Sequence, residues 1–111
     1  MELQEELNKQ VELLQKSLEK LKETGKAYAE AERKYKVILR QECLRLRDEG
    51  MAIGMIDKTC YGIPKVADAR FERDCAEAVY KANQEAINTY KLKIRLLESQ
   101  IGREWSNEMV R

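Results

Sequence analysis

Residues able to carry acid–base or metal chemistry are sparse in this sequence. Histidine is absent, which removes imidazole catalysis and most transition-metal sites. Carboxylate pairs such as Glu2 with Glu6 and Glu19 with Glu23 share a helix face at i, i+4 spacing, but no glycine-rich loop accompanies them. We therefore expect solvent-exposed carboxylates, no catalytic residue, no metal site and no cofactor, and we interpret the chain as a non-enzyme.

Cysteine spacing is the second chemical signal. Cys43, Cys60 and Cys75 are odd in number, and their spacing matches neither a CxxC metal site nor a disulfide framework. This pattern favours a reducing, cytoplasmic compartment. Cys60 stands in a glycine-flanked segment and is expected to be the most accessible thiol. The acidic amino terminus lacks the pattern of a signal peptide, and no apolar run is long enough to cross a bilayer.

Charge is balanced overall but clustered locally. The formal net charge is +1, from 21 Lys and Arg against 20 Asp and Glu, so any electrostatic function must be local. Residues 33–47 are strongly basic and residues 66–80 carry four acids, so we expect internal ion pairing between these stretches. A second cluster, the basic band, could contact phosphate, with a solvated coiled-coil exterior as the alternative. The basic band consists of Lys16, Lys20, Lys22, Lys26, Lys91, Lys93 and Arg95.

Two long segments carry the heptad patterns that must position these groups. The first runs from about residue 3 to 48, has no proline and only one glycine, and consists mainly of the strong helix formers Glu, Lys, Leu, Gln, Ala and Arg. Its main apolar row is Leu7, Leu14, Leu21, Tyr28 and Tyr35, and its companion row is Val11, Leu18 and Leu39. The companion row is broken at Gly25 and Glu32, which predicts a local irregularity or a close helix approach at residues 24–32.

The second segment runs from about residue 64 to 105 and is followed by a short tail at 106–111. Pro64 suits the first helical turn. The two apolar rows are Tyr80, Ile87, Ile94 and Ile101, with Ala76, Asn83, Tyr90 and Leu97. Asn83 is the polar member, and it resembles a buried residue that fixes helix register; an exposed position is the alternative.

The connector at residues 50–63 is unusually apolar and is bounded and split by glycines, so we expect it to pack against the helices. Methionine-rich apolar surfaces adapt to partners, so the connector is also the candidate partner-binding patch. That patch consists of Met51, Ile53, Met55, Ile56, Tyr61 and Ile63. The alternative is that these residues cap the core of the bundle.

These elements predict an all-α fold in a single domain, residues 1–111. We expect a long, antiparallel, coiled-coil-like helical hairpin whose bend near residue 56 sets Tyr28 near Glu85 and Leu14 near Ser99. Each helix also carries apolar residues outside its main rows, and one hairpin partner cannot cover them all. We therefore expect a homodimer that forms a four-helix bundle.

The chain as a whole resembles a group of short, uncharacterised helical proteins encoded by phages and prophages of Gram-positive bacteria. The resemblance rests on residues 27–32, 45–47, 49–50, 70–74, 76–77, 84–88 and 92–105, of which the stretch from Ile94 to Trp105 is the most distinctive. It implies a phage context, alongside replication and recombination genes, and it supplies no activity or catalytic residue. The chain departs from the group at Met51 to Cys60, where its sequence is less polar.

The leading interpretation is a non-enzymatic helical protein–protein interaction module. We expect a phage accessory protein that acts on host or phage nucleic-acid machinery and binds a host or phage protein through the connector. The alternative is weak DNA or RNA binding by the basic band. A helix-turn-helix at the connector matches poorly, because the segment after Gly62 is acidic. No membrane contact is expected.

Overall fold

The computed structural model describes residues 2–110, and over this range the chain is helical with no strand. Helix α1 spans Glu2–Asp48, α2 spans Ile53–Thr59, a 3₁₀ turn follows at Cys60–Gly62, and α3 spans Pro64–Val110. The predicted all-α hairpin is confirmed, because α1 and α3 pack together in antiparallel fashion. The second long helix continues to Val110 and does not end at Trp105, so residues 106–110 are helical where a tail was expected. Arg111 lies outside the described residues.

The chain divides into two compact units. The terminal unit consists of residues 2–23 and 81–110, and the connector unit consists of residues 24–80. In the terminal unit, Asn83 Nδ2 donates a hydrogen bond of 3.0 Å to the backbone oxygen of Ser17. In the connector unit, the rings of Tyr28 and Tyr80 lie 5.9 Å apart. Each unit therefore contains its own α1–α3 contact.

The predicted seam of α3, which its two apolar rows form, is confirmed. All eight predicted positions from Ala76 to Ile101 are buried or half-buried, and the same spacing continues back through Ala69 to Val66, which is fully buried. Alternating steps of three and four residues keep one stripe of a helix on its partner. The seam of α3 therefore extends across both units as one regular heptad pattern.

The predicted companion row of α1 is wrong at Val11 and Leu18, whereas its third member, Leu39, is half-buried and packs against the buried cores of the connector unit. Val11 and Leu18 are exposed, and the residues one position earlier, Gln10 and Ser17, face α3 instead. Gln10 is buried, and its Nε2 donates a hydrogen bond of 2.8 Å to Glu6 Oε1, which satisfies the amide donor. A second row can lie either three or four residues after each member of a main row that repeats every seven residues. The apolar residues Val11 and Leu18 favoured the step of four, whereas the residues that face α3 follow the step of three.

The predicted register between α1 and α3 is also wrong. Tyr28 contacts Tyr80 and not the region of Glu85, and Leu14 lies beside Ile94 and not Ser99. The reason is the connector: Val66, in the first turn of α3, is buried together with Tyr35, so the later turns of α1, which include Leu46, extend past the start of α3. The connector packs over these turns of α1, whereas a bend centred on residue 56 would place the start of α3 beside them.

Helix α1 is uninterrupted at residues 24–32, where an irregularity or close approach was expected. The close approach is present: a Cβ placed on Gly25 would lie 3.1 Å from Tyr80 Cε1. Glycine at this position therefore makes room for the tyrosine ring without breaking the helix.

The end of α1 is fixed by Gly50, whose φ of 91° lies in the left-handed region. The Met51 amide donates to the Leu46 carbonyl at 3.1 Å, and the Gly50 amide donates to the Arg47 carbonyl at 3.0 Å. These two hydrogen bonds form a Schellman motif, and the accompanying apolar contact is made by Met51 against the cluster around Leu46. The helix thus ends in a turn that directs the connector back along α1.

Candidate interaction surface

The connector is held by a core of its own. Leu46, Ile56 and Cys60 are buried together, and Met51 and Ile63 pack against them. Ile56 and Cys60 are four residues apart, so they share one side of the short helix α2 and its 3₁₀ extension. The prediction that the connector packs against the helices is confirmed.

This packing divides the six residues predicted to bind a partner. Ile56 is only 7% exposed, and Met51 and Ile63 are half-buried against the same core, so these three hold the connector in place. Ile53, Met55 and Tyr61 remain at the surface and are 74%, 52% and 48% exposed. The candidate interaction surface is therefore the outer half of the predicted patch.

A shallow depression extends this surface onto α1. It has a volume of about 300 Å³, and Leu44 and Ile53 supply its exposed apolar side chains. Arg40 and Arg47 line it together with Asp57. An apolar floor with cationic walls can accept an apolar side chain that carries acidic neighbours. Leu44 was not among the predicted site residues, although its spacing of seven from exposed Val37 is visible in the sequence.

The outer face of α1 continues this pattern. A second, wider depression of about 620 Å³ is lined by residues between Ala29 and Gln41, including Arg33, Lys36 and exposed Val37. Arg33, Arg40 and Arg47 recur every seven residues and make no ion pair among residues 2–110. The connector unit therefore presents aliphatic and cationic side chains along one face of α1.

Internal ion pairing of residues 33–47 is less extensive than expected. Lys34 is the residue of this stretch that reaches an acid of residues 66–80, at 2.9 Å from Glu72, and both partners are more than half exposed. Arg45 instead pairs within α1, at 2.7 Å from Glu42 and 2.8 Å from Glu49, and these contacts raise the pKa of its guanidinium. The exposed pairs Lys34–Glu72 and Arg45–Glu49 contribute little to stability, whereas Glu42 is buried.

Arg73 occupies a seam position of α3, where an apolar residue would be usual. Its guanidinium lies 4.7 Å from the centre of the Tyr35 ring and 3.6 Å from Glu32, and it pairs with Asp74 at 2.9 Å. Stacking on an aromatic ring lets an arginine occupy a partly buried site while its donors stay satisfied. In the sequence, Arg73 is marked only by its position in the heptad pattern of the seam.

Tyr28 also lies on this seam. Burial and the nearby carboxylate of Glu32 raise the pKa of Tyr28, and its hydroxyl donates a hydrogen bond to Glu77, which raises the pKa further. All three effects favour the neutral phenol. The tyrosines Tyr28, Tyr35, Tyr80 and Tyr90 are buried or half-buried, which confirms that they belong to the seam.

The thiol prediction is wrong. Cys60 is 1% exposed and its Sγ donates to the Asp57 carbonyl at 3.9 Å, whereas Cys75 is exposed on α3. Burial raises the pKa of the Cys60 thiol, and its contact with the Cys43 thiol adds to this effect. The flanking glycines suggested an accessible thiol, but the 3₁₀ turn places Cys60 in the connector core.

The predicted basic band is distributed over both units. Six of its members lie in the terminal unit, and Lys26 belongs to the connector unit. All seven residues are exposed and make no ion pair among residues 2–110. Lys91 and Arg95 share a depression with Leu14 and Ile94, whereas Lys93 lines a different one with Glu6. The band is therefore not one continuous cationic face.

The remaining predictions concern chemistry and membranes. Among residues 2–110, no group of three or more Cys, Asp or Glu side chains is arranged to hold a metal ion. None of the described helices has the length and apolar character needed to cross a membrane. Asn83 is half-buried in the seam, as the register interpretation requires, and its hydrogen bond to Ser17 joins the two helices.

Comparisons with protein-family models, curated proteins and solved structures returned no match for this chain.

Proposed function

We propose that the protein is a non-enzymatic helical interaction module that binds a protein partner through the connector surface. The observation that supports this most strongly is the exposure of Ile53, Met55 and Tyr61 on a segment that its own core holds in place. Three exposed apolar side chains on a fixed scaffold lose little conformational freedom on binding, and methionine adapts to the shape of a partner. The cationic depression beside Ile53 favours a partner with acidic residues around an apolar anchor.

The biological setting is part of the same proposal. The resemblance to phage and prophage proteins favours a phage accessory protein that acts in the host cytoplasm on host or phage nucleic-acid machinery. The protein would work there as a homodimer that forms a four-helix bundle, because α3 leaves large apolar side chains exposed outside its seam. Phe71, Leu96 and Met109 are 69%, 60% and 72% exposed.

Quantitative capture from a host-cell extract tests the connector surface. The test variant is Ile53→Asp with Met55→Asp, both at exposed positions, and the matched control is Val11→Asp with Leu18→Asp in the terminal unit. A protein that wild type captures should be retained by the control. Purified, that protein should bind the test variant at least about 30-fold more weakly, as expected for loss of interface hot spots. Equal binding to wild type and to the test variant would refute the connector as the binding surface.

A second candidate function is weak nucleic-acid binding by the basic band within the terminal unit. It is favoured by the exposure of these cations and the absence of ion pairs to them among residues 2–110. Titration with single- and double-stranded DNA at two salt concentrations tests it, with Lys91→Glu and Arg95→Glu together as the variant. The expected binding weakens steeply with salt and is reduced by the variant. No binding at low salt, or binding that salt does not change, would exclude this mechanism.

A further inference from the structure

The outer surface of α3 carries two five-residue segments with the same apolar pattern and opposite charges. The acidic segment, residues 71–75, reads Phe-Glu-Arg-Asp-Cys, and the basic segment, residues 92–96, reads Leu-Lys-Ile-Arg-Leu. The two segments begin three heptads apart, so equivalent residues occupy the same positions around the helix. The central residue of each lies in the seam, and the other four are exposed.

The acidic segment belongs to the connector unit. Phe71 is 69% exposed although it is a large aromatic residue, and Cys75 is exposed one turn later. Glu72 and Asp74 flank this apolar pair and are each 55% exposed, although Glu72 pairs with Lys34 and Asp74 with Arg73 within the chain. Arg73 lies between them and turns inward onto Tyr35. The segment thus presents an apolar surface with a carboxylate on either side.

The basic segment belongs to the terminal unit. Leu92 and Leu96 are 51% and 60% exposed, and they take the positions that Phe71 and Cys75 hold in the acidic segment. Lys93 and Arg95 flank them, whereas Ile94 lies in the seam. Neither cation makes an ion pair among the described residues. This segment presents the same apolar surface with cations in place of the carboxylates.

We propose that a second copy of this chain docks on α3 in antiparallel orientation, with the acidic segment of one copy against the basic segment of the other. This inference rests on the proposed homodimer, not on its packing as a four-helix bundle, and it places the contact on the side of α3 opposite the seam. In antiparallel helix pairs, equivalent flanking positions face one another across the apolar stripe, so Glu72 would face Lys93 of the partner subunit and Asp74 would face Arg95 of the partner subunit. A two-fold pair makes each contact twice.

The charges also exclude the simplest competing arrangement. In a parallel, in-register pair the acidic segment would face itself, and Glu72 and Asp74 would lie beside the same carboxylates of the other copy. Like charges at such positions are destabilising, and the basic segments would repel in the same way.

The stretch of α3 between the two segments offers little to a partner helix. At the positions equivalent to the apolar pairs it carries only small or polar residues, namely Ala78, Ala82, Glu85 and Thr89, while the exposed Val79 occupies a flanking position. Small and polar side chains bury little apolar surface on association. We therefore assign the binding contact to the two segments.

Charge reversal in two separate variants tests the pairing. The first variant, Glu72→Lys with Asp74→Arg, has two basic segments, and the second, Lys93→Glu with Arg95→Asp, has two acidic segments. Each variant alone should dimerise at least about tenfold more weakly than wild type, since attraction is replaced by repulsion at every flanking pair. An equimolar mixture should recover a dimer that contains one chain of each variant. Sedimentation velocity with one variant fluorescently labelled measures this directly.

Controls separate loss of docking from loss of folding. Glu19→Lys with Glu23→Lys makes the same charge change on exposed α1 positions and should leave the dimer unchanged. Leu96→Ser removes an exposed apolar contact without any charge change and should weaken the dimer while thermal unfolding of the hairpin is retained. Wild type that sediments as one chain would refute the homodimer itself. Dimeric wild type whose charge variants also dimerise, or whose mixture shows no heterodimer, would refute the pairing alone.

Discussion

Replacing Ile56 with alanine tests whether the connector is held by its own core. Ile56 is 7% exposed and packs with Leu46 and Cys60, whereas Ile53, three positions earlier in the same helix, is 74% exposed. The two isoleucines therefore form a matched pair that differs in burial and not in residue type. One belongs to the connector core and the other to the candidate interaction surface.

The expected cost follows from the atoms removed. Isoleucine to alanine deletes three carbon groups, each worth about 0.8 kcal/mol when buried, and the remaining cavity adds to this loss. Helix α2 is only seven residues long and can partly close over the gap, which keeps the cost near the low end of the usual range. We expect Ile56→Ala to lower the free energy of unfolding by about 2–3 kcal/mol and Ile53→Ala to change it by less than about 0.5 kcal/mol.

Urea unfolding followed by far-UV circular dichroism measures both changes, at one fixed protein concentration because the proposed self-association would shift the midpoint. The dependence of the unfolding free energy on urea should be the same in wild type and both variants. Equal midpoint shifts for the two variants, or a shift below about 0.5 kcal/mol for Ile56→Ala, would refute the assignment of Ile56 to a core.

Three further predictions concern single side chains. Cys75 should react with a thiol-specific reagent at neutral pH before Cys60, because Cys60 is buried and its pKa is raised; equal rates would contradict its burial. Stability should fall as pH rises from the ordinary tyrosine pKa of 10.0 through the raised pKa of Tyr28, because the unfolded state ionises first. Tyr28→Phe should weaken this dependence of stability on pH, and an unchanged dependence would assign the effect to another group. Arg73→Met should lower the thermal midpoint more than Arg73→Lys, since lysine keeps the cation near Tyr35; the reverse order would argue against the stacked guanidinium.

Much of the helical architecture follows from the sequence because α3 repeats its pattern without interruption. Its seam from Ala76 to Ile101 places seven apolar residues and Asn83 at alternating steps of three and four, and this single stripe determines which side of α3 packs on α1. On α1 the same reasoning fails at Val11 and Leu18. The row that faces α3 contains Gln10 and Ser17. Both side chains are polar, so hydrophobic periodicity does not identify them as part of the packed face.

The connector shows a different limit of sequence reasoning. Its apolar residues identify a packed segment, but α2 is too short to display a helical period, and Gly54 interrupts the pattern. The sequence therefore does not separate buried Ile56 from exposed Ile53. The helix register depends on the same segment, because the length and packing of the connector set where α3 begins along α1, with Val66 in the same core as Tyr35.

Helix α3 leaves large apolar side chains exposed, and we propose that a second copy of the chain covers them. Sedimentation equilibrium of the wild-type protein over a range of concentrations is the most direct test of this proposal. At micromolar concentration we expect two chain masses, with dissociation to one chain mass on dilution. One chain mass at every concentration would contradict the dimer, and it would leave Phe71 and Leu96 exposed to solvent in the isolated hairpin.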